Sequence, residues 1–325
     1  MQSSPQRPAP APRRIAALAG GVGAARFLRG LVDAIGAESL TAIVNTGDDR
    51  EFYGVHVSPD VDIVTYTLAD RVDPARGYGL AGDSSAVIEA LERFGHATWF
   101  RLGDRDLATC LHRTLRLREG VGLAAITDEI RRSFGVRSRL LPMSEAPCPT
   151  LVGLRGGARI HFEEYLVRDG APDDVESVDL SAAAAAAPAP GVLDALSAAD
   201  AILVCPSNPV ASIAPILALR GVRDAIARAR APVVGVSPIV GGAPVKGPAD
   251  RLLRAVGAEV SARGVAAYYG ELLDGFVLDS RDAGQESAIR ARGIRTRCLD
   301  TLMRSRELAA GVARAALELA GELGG

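Results

Sequence analysis

Two acidic clusters stand close together near the start of the chain. The first is Val44-Asn45-Thr46-Gly47-Asp48-Asp49, and the second is Ser58-Pro59-Asp60-Val61-Asp62. Carboxylate oxygens are hard ligands of the kind that Mg²⁺ prefers, and Mg²⁺ is usually held by one or two carboxylates together with waters and substrate phosphates. The four aspartates therefore predict a metal site. The alternative is that they only cap backbone groups in turns.

A glycine-rich turn, Gly20-Gly21-Val22-Gly23, precedes these clusters. It follows the apolar run from Ile15 to Ala19 and leads into a helical pattern, which places backbone N–H groups at a helix start, where a phosphate can bind. Arg26 in the first helical turn favours anion binding, so we expect Gly21, Gly23 and Arg26 to contact the substrate. No third glycine or Walker lysine follows, so a purely structural turn stays open.

Two polar loops later in the chain also follow short apolar runs. One is Pro206-Ser207-Asn208-Pro209, and the other begins at Ser237 and continues through Gly241-Gly242 to Lys246. Ligands of open α/β folds bind at the carboxyl ends of the strands, where such loops lie. A rigid proline turn and a solvated lysine are the competing interpretations. The substrate-binding residues that we expect from the strand ends are Asn45, Ser207, Asn208, Ser237 and Lys246.

These motifs need a parallel sheet to bring them together. Residues 14–45 show the pattern strand, helix, strand, and the later strands are short and fully apolar, as a sheet covered on both faces requires. The sequence therefore predicts an α/β fold, a three-layer Rossmann-like, mostly parallel sheet with a small inserted α-helical domain. Its parts are a disordered Pro-rich tail (1–13), the Rossmann-like domain (14–102 and 141–325) and the helical insertion (103–140). We also expect Ile160 to Val167 to return to the main sheet as a strand.

Composition narrows the class of protein. The 325 residues are 48% hydrophobic and carry a net charge of −2, which gives no electrostatic reason to expect nucleic acid as a partner. The four cysteines form no C-x-x-C pair, so neither a zinc cage nor a disulfide framework is indicated. Apolar runs are too short for a membrane span of about 20 residues. We expect no membrane partner and a cytoplasmic location.

The motifs, in this order, resemble one family, the CofD-like transferases of coenzyme F-420 biosynthesis. These transferases move 2-phospho-L-lactate or phosphoenolpyruvate groups. The matching segments span nearly the whole chain, and the ordered set is specific although each segment alone is weak. They are the glycine turn through Leu28, the two acidic clusters, Trp99 with Leu102 to Thr109, Pro206 to Pro209, and Ser237 to Ile239 with Lys246-Gly247.

The resemblance implies a reaction and a division of roles. A guanosine-diphosphate donor would give its three-carbon phosphoacid to the ribityl hydroxyl of the deazaflavin FO, and GMP would leave. Asp49 would be the catalytic residue near the FO hydroxyl and also contact substrate, while Asp48 and Asp62 would bind Mg²⁺. The resemblance also implies a homodimer. The donor group stays open, with the run from Trp99 to Thr109 favouring enolpyruvyl.

Two departures from the family pattern concern how FO is held. Ala81 stands before Gly82-Asp83, where a lysine or arginine is expected, and Ser144-Glu145 replaces a serine-aspartate pair. Two other functions compete with the transferase. One is a regulatory nucleotide-binding protein of the gluconeogenesis-factor type, and the other is a nicotinamide-dependent oxidoreductase in which Asp48 binds a ribose. Arg50-Glu51-Phe52 after Asp49 and the incomplete glycine fingerprint fit these alternatives less well.

Overall fold

The structure is a computed structural model and describes residues 14–324, so the predicted tail at 1–13 lies outside the described residues. The described strands are β1 (Ile15–Ala19), β2 (Leu40–Val44), β3 (Arg50–Phe52), β4 (Val55–Val57), β5 (Arg139–Pro142), β6 (Leu151–Leu154), β7 (Arg159–His161), β8 (Val175–Asp179), β9 (Ala201–Val204), β10 (Val233–Val236), β11 (Ile239–Val240), β12 (Ala243–Pro244), β13 (Gly275–Asp279) and β14 (Arg295–Leu299).

The α-helices of the same residues are α1 (Gly21–Ile35), α2 (Pro59–Leu68), α3 (Ala86–Arg93), α4 (Asp104–Arg118), α5 (Leu123–Ser133), α6 (Ser181–Ala185), α7 (Val192–Ser197), α8 (Ala214–Ala218), α9 (Val222–Arg228), α10 (Ala249–Ala255), α11 (Ala262–Tyr269), α12 (Glu286–Arg290) and α13 (Arg306–Leu323). Two short π-helical segments, Glu164–Arg168 and Pro209–Ile213, lie among them.

A seven-stranded parallel sheet forms the centre of the molecule. Its strand order is β14-β13-β10-β9-β1-β2-β5, and every pair in it is parallel. Three small antiparallel units lie outside it, namely β3–β4, β7-β6-β8 and β11–β12. The predicted α/β fold with a mostly parallel sheet is confirmed.

Alternation along β1 shows why the fold has three layers. Ala16 and Leu18 face one apolar core, whereas Ile15, Ala17 and Ala19 face a second core on the opposite side of the sheet. Helices α1 and α13 pack against the second core, and α7 to α11 cover the first. Both faces are therefore covered, which is why the inner strands β1, β9 and β10 are apolar throughout.

A third, smaller core joins the β3–β4 hairpin to α3 and α4. It contains Phe52 and Val57 from the hairpin, Ile88 from α3 and Cys110 from α4. The ring of Phe52 stacks on Phe100 at 4.0 Å between centroids. The segment 103–140 consists mainly of α4 and α5 before β5 rejoins the main sheet. Its status as a separate domain stays a prediction.

One sequence-based expectation about a strand is wrong. The segment from Ile160 to Val167 does not return to the main sheet, because β7 ends at His161 and pairs with β6 in the small antiparallel sheet. The chain then turns into the π-helix Glu164–Arg168. Strands β5 and β14, at the two edges of the main sheet, were not predicted.

Candidate functional site

The predicted loops meet at the carboxyl edge of the central sheet. The chain passes from β1 to β2 on one side, whereas β9 lies on the other side of β1, so β1 and β9 form a topological switch point. Ligands of open α/β folds bind in the crevice at such a point. A Cβ at Gly23 would lie 2.6 Å from the carbonyl oxygen of Pro206, so only glycine allows this close approach.

Asp60 connects several of the predicted residues. Its Oδ1 accepts a 2.7 Å hydrogen bond from Gly21 N–H, and its Oδ2 accepts one of 2.9 Å from Asn45 Nδ2. Gly20 N–H donates to Ser207 Oγ at 3.2 Å. Burial raises the pKa of Asp60 to about 6, against the opposing effect of its two donors. The structure therefore brings Gly21 and Asn45 together around the Asp60 carboxylate and places Ser207 against the adjacent Gly20.

Asp49 is held by two neighbours from the segment that follows it. Ser58 Oγ donates to Asp49 Oδ2 at 2.6 Å, and His56 Nε2 lies 3.1 Å from the same oxygen. Burial raises the pKa of Asp49, and the hydrogen bonds of His56 and Ser58 oppose this rise. The other oxygen, Oδ1, is buried and has no hydrogen-bond partner among the described residues.

Asp48 lies in a strongly acidic environment. It is 4% exposed, and its Oδ1 has no hydrogen-bond partner within the described part of the chain. Burial is the largest cause that raises the pKa of Asp48, followed by the negative charges of Asp60, Glu163 and Asp49. Burial and Asp60 likewise raise the pKa of Glu163 to about 8. Buried carboxylates that raise one another's pKa are typical of cation sites and catalytic sites.

Asp62 differs from Asp48 because it already has a cationic partner. Its Oδ1 pairs with Arg113 of α4, whose side chain is fully buried. Arg113 also donates to the backbone oxygen of His56 at 3.2 Å. The guanidinium lies among Asp62, Asp106 and Cys110, a group of metal-ligating types within 4.8 Å of one another. Asp62 Oδ2 remains buried and unpartnered among residues 14–324.

Asn208 and Ser237 shape the two later loops. Asn208 Oδ1 accepts from Val210 N–H at 3.0 Å and so caps the π-helix that follows. Ser237 Oγ donates to the Ile239 carbonyl at 2.8 Å. These side chains therefore serve the turns, and their loops border the same sheet edge as Ser207.

Arg26 and Lys246 are cations close enough to influence each other. Lys246 is the only lysine in the chain, and its Nζ lies 5.5 Å from the ring centroid of Tyr78. Desolvation lowers the pKa of Lys246, and the charge of Arg26 adds to this effect. Within residues 14–324, no carboxylate is paired with either cation, so the pair suits an anionic ligand.

The residues of the two departures have structural partners. Asp83 accepts from the N–H groups of Arg105 and Asp106 and so caps α4. Glu145 accepts from Leu123 N–H at 2.7 Å and from Ala124 N–H at 3.0 Å, which caps α5. Ala81 is exposed, and its N–H donates to Arg71 O at 2.8 Å.

Sequence reasoning assigned no role to His56 and Glu163, which the structure places near the acidic residues. It counted Asp60 only among four aspartates offered to a metal and did not foresee its hydrogen bonds from Gly21 and Asn45. Neither His56 nor Glu163 belongs to a motif that the sequence analysis singled out, and both lie in segments of strand-like pattern. Proximity to an acidic cluster was a usable clue for His56, whereas Glu163 is distant in sequence.

None of the described helices is both long and apolar enough to cross a membrane. Residues 15–310 match the family described as 2-phospho-L-lactate transferase CofD. The chain is 46% identical over 313 residues to a phosphoenolpyruvate transferase of Kitasatospora aureofaciens, with 94% of this chain and 98% of the relative covered. It is 40% identical over 296 residues to a 2-phospho-L-lactate transferase of Methanosarcina acetivorans, with 90% and 95% covered.

The fold also resembles a solved structure. A crystal structure of a UPF0052 family protein from Bacillus halodurans superimposes with a TM-score of 0.63, at 18% sequence identity. The match covers 94% of this chain and 98% of that one. At this identity the likeness concerns the fold alone.

Proposed function

Because this chain belongs to the CofD family of 2-phospho-L-lactate transferases, we propose that it transfers a three-carbon phosphoacid from a guanosine-diphosphate donor to FO. The acceptor is the terminal ribityl hydroxyl of this deazaflavin, and GMP is released, as a step of coenzyme F-420 biosynthesis. The observation that carries the proposal is the cluster of buried, unpartnered carboxylate oxygens beside the glycine turn at the sheet switch point. Such a site suits phosphoryl chemistry, which depends on positioning and charge stabilisation.

We propose enolpyruvyl as the donor group, with 2-phospho-L-lactyl as the alternative. Relatives named phosphoenolpyruvate transferase range from 39% to 46% identity with this chain, and relatives named 2-phospho-L-lactate transferase range from 39% to 40%. The two groups differ by a few atoms, so pocket geometry alone does not separate them.

In the proposed reaction, the ribityl oxygen attacks the phosphorus that bears the three-carbon group. The bond from that phosphorus to the oxygen of GMP breaks, and GMP leaves with the electron pair. Asp49 accepts the proton of the attacking hydroxyl, held in place by Ser58 and His56. Arg26 and Lys246 bind the anionic donor through their unpaired charges.

The remaining predicted residues would hold the donor from the loops. The residues that line or support the sheet edge are Gly21, Gly23, Asn45, Ser207, Asn208 and Ser237. The Gly21 N–H already donates to Asp60, so a phosphate that reaches this amide must replace that carboxylate. Helix N-termini of this kind favour negative charge in either case.

The acidic residues fit a divalent cation. Asp48 Oδ1, Asp49 Oδ1 and Asp62 Oδ2 are all buried and lack hydrogen-bond partners among the described residues. We propose that Asp48 and Asp62 hold Mg²⁺, and bound Mg²⁺ would neutralise charge on the diphosphate. Arg113 balances only one oxygen of Asp62, which leaves the other for a ligand. A homodimeric assembly is a further proposal based on the family resemblance, and the cytoplasmic location expected from the sequence is proposed as well.

The test is to incubate the protein with FO, Mg²⁺ and each of three guanosine-diphosphate donors, carrying enolpyruvyl, 2-phospho-L-lactyl or phosphoglyceryl. Mass spectrometry of the products should show FO carrying the enolpyruvyl phosphate, together with GMP. No product from any donor would refute the transferase. Stabilisation by guanine nucleotide without product would favour the regulatory alternative, and stabilisation by NAD alone would favour an oxidoreductase.

A further inference from the structure

Glu163 is a buried carboxylate for which the fold supplies no hydrogen-bond donor. It is 5% exposed, at the corner between β7 and the following π-helix. Its backbone N–H donates to His161 Nδ1 at 3.2 Å, yet no hydrogen bond reaches its carboxylate from any residue that the structure describes. Because a largely buried charge without a hydrogen-bond donor is unfavourable, this side chain favours a bound cation or a proton.

Backbone contacts place Glu163 beside Asp48. Thr150 N–H donates to the Gly47 carbonyl at 2.8 Å, and Phe162 N–H donates to the Thr150 carbonyl at 3.0 Å. Gly47 directly precedes Asp48, and Phe162 directly precedes Glu163. Three segments that are distant in sequence are thus joined in one hydrogen-bonded row.

An ion pair also joins the two segments that contain Asp48 and Glu163. Arg50 Nη1 lies 3.2 Å from Glu164 Oε1, so the segment after Asp49 and the segment after Glu163 are joined as well. Arg50 forms an ion pair with Glu164, and Arg113 forms one with Asp62. Neither arginine provides Glu163 with a hydrogen-bonded partner.

Asp48 contributes a second, independent carboxylate oxygen without a hydrogen-bond partner in the described part of the chain. Its side chain is 4% exposed, and its Oδ1 has no hydrogen-bond partner among residues 14–324. Asp48 thus keeps one unpartnered buried oxygen, and the Glu163 carboxylate, from a different element joined to it by the backbone contacts, accepts no hydrogen bond from the described residues. Carboxylates arranged in this way suit a divalent cation, which also keeps positions for water and phosphate oxygens.

We propose that Glu163 supplies a further carboxylate to the divalent cation held at Asp48. This inference rests on the magnesium site of the proposed function and extends it to an element that the acidic clusters do not include. The cation would then connect the segment after β2 with the corner after β7. The alternative is that Glu163 is protonated and has only a packing role.

The test measures binding of Mn²⁺ alone, by electron paramagnetic resonance of the free ion, followed by competition with Mg²⁺. We expect Glu163→Leu and Glu163→Gln to weaken Mn²⁺ binding by about tenfold or more, because each removes a charged ligand. The matched control is Glu164→Gln, which alters the same corner at a residue paired with Arg50 and Arg168 and should keep the wild-type affinity. Circular dichroism verifies the fold, and the nearly isosteric Glu163→Gln decides the matter if Glu163→Leu does not fold.

The possible outcomes distinguish the role of Glu163 from the magnesium site on which it rests. Wild-type affinity in Glu163→Gln, with the fold retained, would overturn the role of Glu163 and leave the magnesium site standing. Equal loss in Glu163→Gln and Glu164→Gln would also overturn it, because the effect would then come from the corner as a whole. A wild-type protein that binds no Mn²⁺ would overturn both the role of Glu163 and the magnesium site, while product formation in the transferase assay would still be judged separately.

Discussion

The backbone N–H of Gly21 donates a 2.7 Å hydrogen bond to the carboxylate of Asp60, at the point where α1 begins. Gly21 has a φ of +75°, a conformation that glycine adopts without strain. The bond joins the start of α1 to the start of α2 and places a negative charge at a helix N-terminus, where it is favourable. The glycine turn therefore positions the acidic cluster as well as bordering the ligand crevice.

Gly20→Ala should disturb this junction. A Cβ at Gly20 would lie 2.6 Å from Asp60 Oδ2 and 2.7 Å from Ser212 Cβ. We expect a loss of about 1–3 kcal/mol in the free energy of unfolding, as for overpacked sites. Urea denaturation measures it. Gly284→Ala is the control, since a Cβ there meets nothing within 4 Å and should change stability by less than about 0.5 kcal/mol. Equal stability of the two variants would contradict the prediction.

Arg113→Met should destabilise the protein strongly, because it leaves Asp62 buried without its cation. Breaking one side of a buried ion pair costs about 3–5 kcal/mol, which denaturant titration can measure. Arg304→Met removes an exposed pair with Asp300 and should cost at most about 1 kcal/mol. A similar small loss in both variants would show that the buried pair contributes little.

The stability of the Asp106→Asn variant should increase relative to that of the wild type as the pH rises. Burial, followed by the charge of Asp62, raises the pKa of Asp106 from 3.8 to about 7. Because this pKa is higher in the folded state than in the unfolded chain, the stability that it contributes is present below pH 3.8 and is lost as the pH rises through 7. Asparagine can still accept from the Tyr66 hydroxyl, which lies 2.7 Å from Oδ1.

The measurement is the difference in unfolding free energy between Asp106→Asn and wild type, followed from about pH 4 to about pH 8. Across this range, the unfolding free energy of the variant should rise relative to that of the wild type. Asp104→Asn is the control on the same helix. Hydrogen bonds, first that of Ser84, lower the pKa of Asp104 below 3.8, so its contribution changes only at lower pH and its difference should stay flat. A flat profile for Asp106→Asn would contradict the buried, protonated state.

Asp49→Asn should lower kcat by about a hundredfold or more if Asp49 accepts the proton of the acceptor hydroxyl. The substitution keeps the shape of the side chain while removing its basicity. Initial rates with FO at saturating Mg²⁺ test this expectation. Asp224→Asn serves as the control, because Asp224 lies exposed on α9 and pairs only with Arg228. Near-normal turnover in Asp49→Asn would remove Asp49 from the chemistry.

Lys246→Gln should raise the KM for the guanosine-diphosphate donor by about tenfold with a smaller effect on kcat, because it removes a charge-assisted contact. Its neighbour Arg26 retains part of the attraction. Arg228→Gln, an exposed cation on α9 whose partner is Asp224, is the matched control and should keep the KM of wild type. Unchanged donor KM in Lys246→Gln would place the donor phosphates elsewhere.

The sequence predicted the elements that local pattern controls. The apolar run from Ile15 to Ala19 is β1 with these bounds, and Leu40 to Val44 is β2. Both strands are continuous apolar runs bounded by turn residues, which the side-chain pattern alone reveals. Strand β14 was missed because Arg295 and Arg297 interrupt any apolar run, and its position at the sheet edge tolerates them.

The corner after β7 escaped prediction for a related reason. The segment from Ile160 to Val167 has strand-like residues, yet His161 N–H and Glu163 N–H bond to side chains within the corner. Local side-chain acceptors compete with a sheet ladder and turn the chain. That turn is what places Glu163 inside the acidic site.

By itself, the sequence determined the α/β class, the family and the set of loops that border the crevice, because strand order along the chain and turn chemistry are local properties. Only the tertiary structure decided which partners the acidic residues have. Asp62 pairs with Arg113, Asp60 holds Gly21, and Glu163 lies beside Asp48. Each of these contacts joins segments that are far apart in sequence. The physical reason is that a carboxylate's pKa, charge balance and free oxygens depend on burial and neighbours, which the folded chain alone supplies.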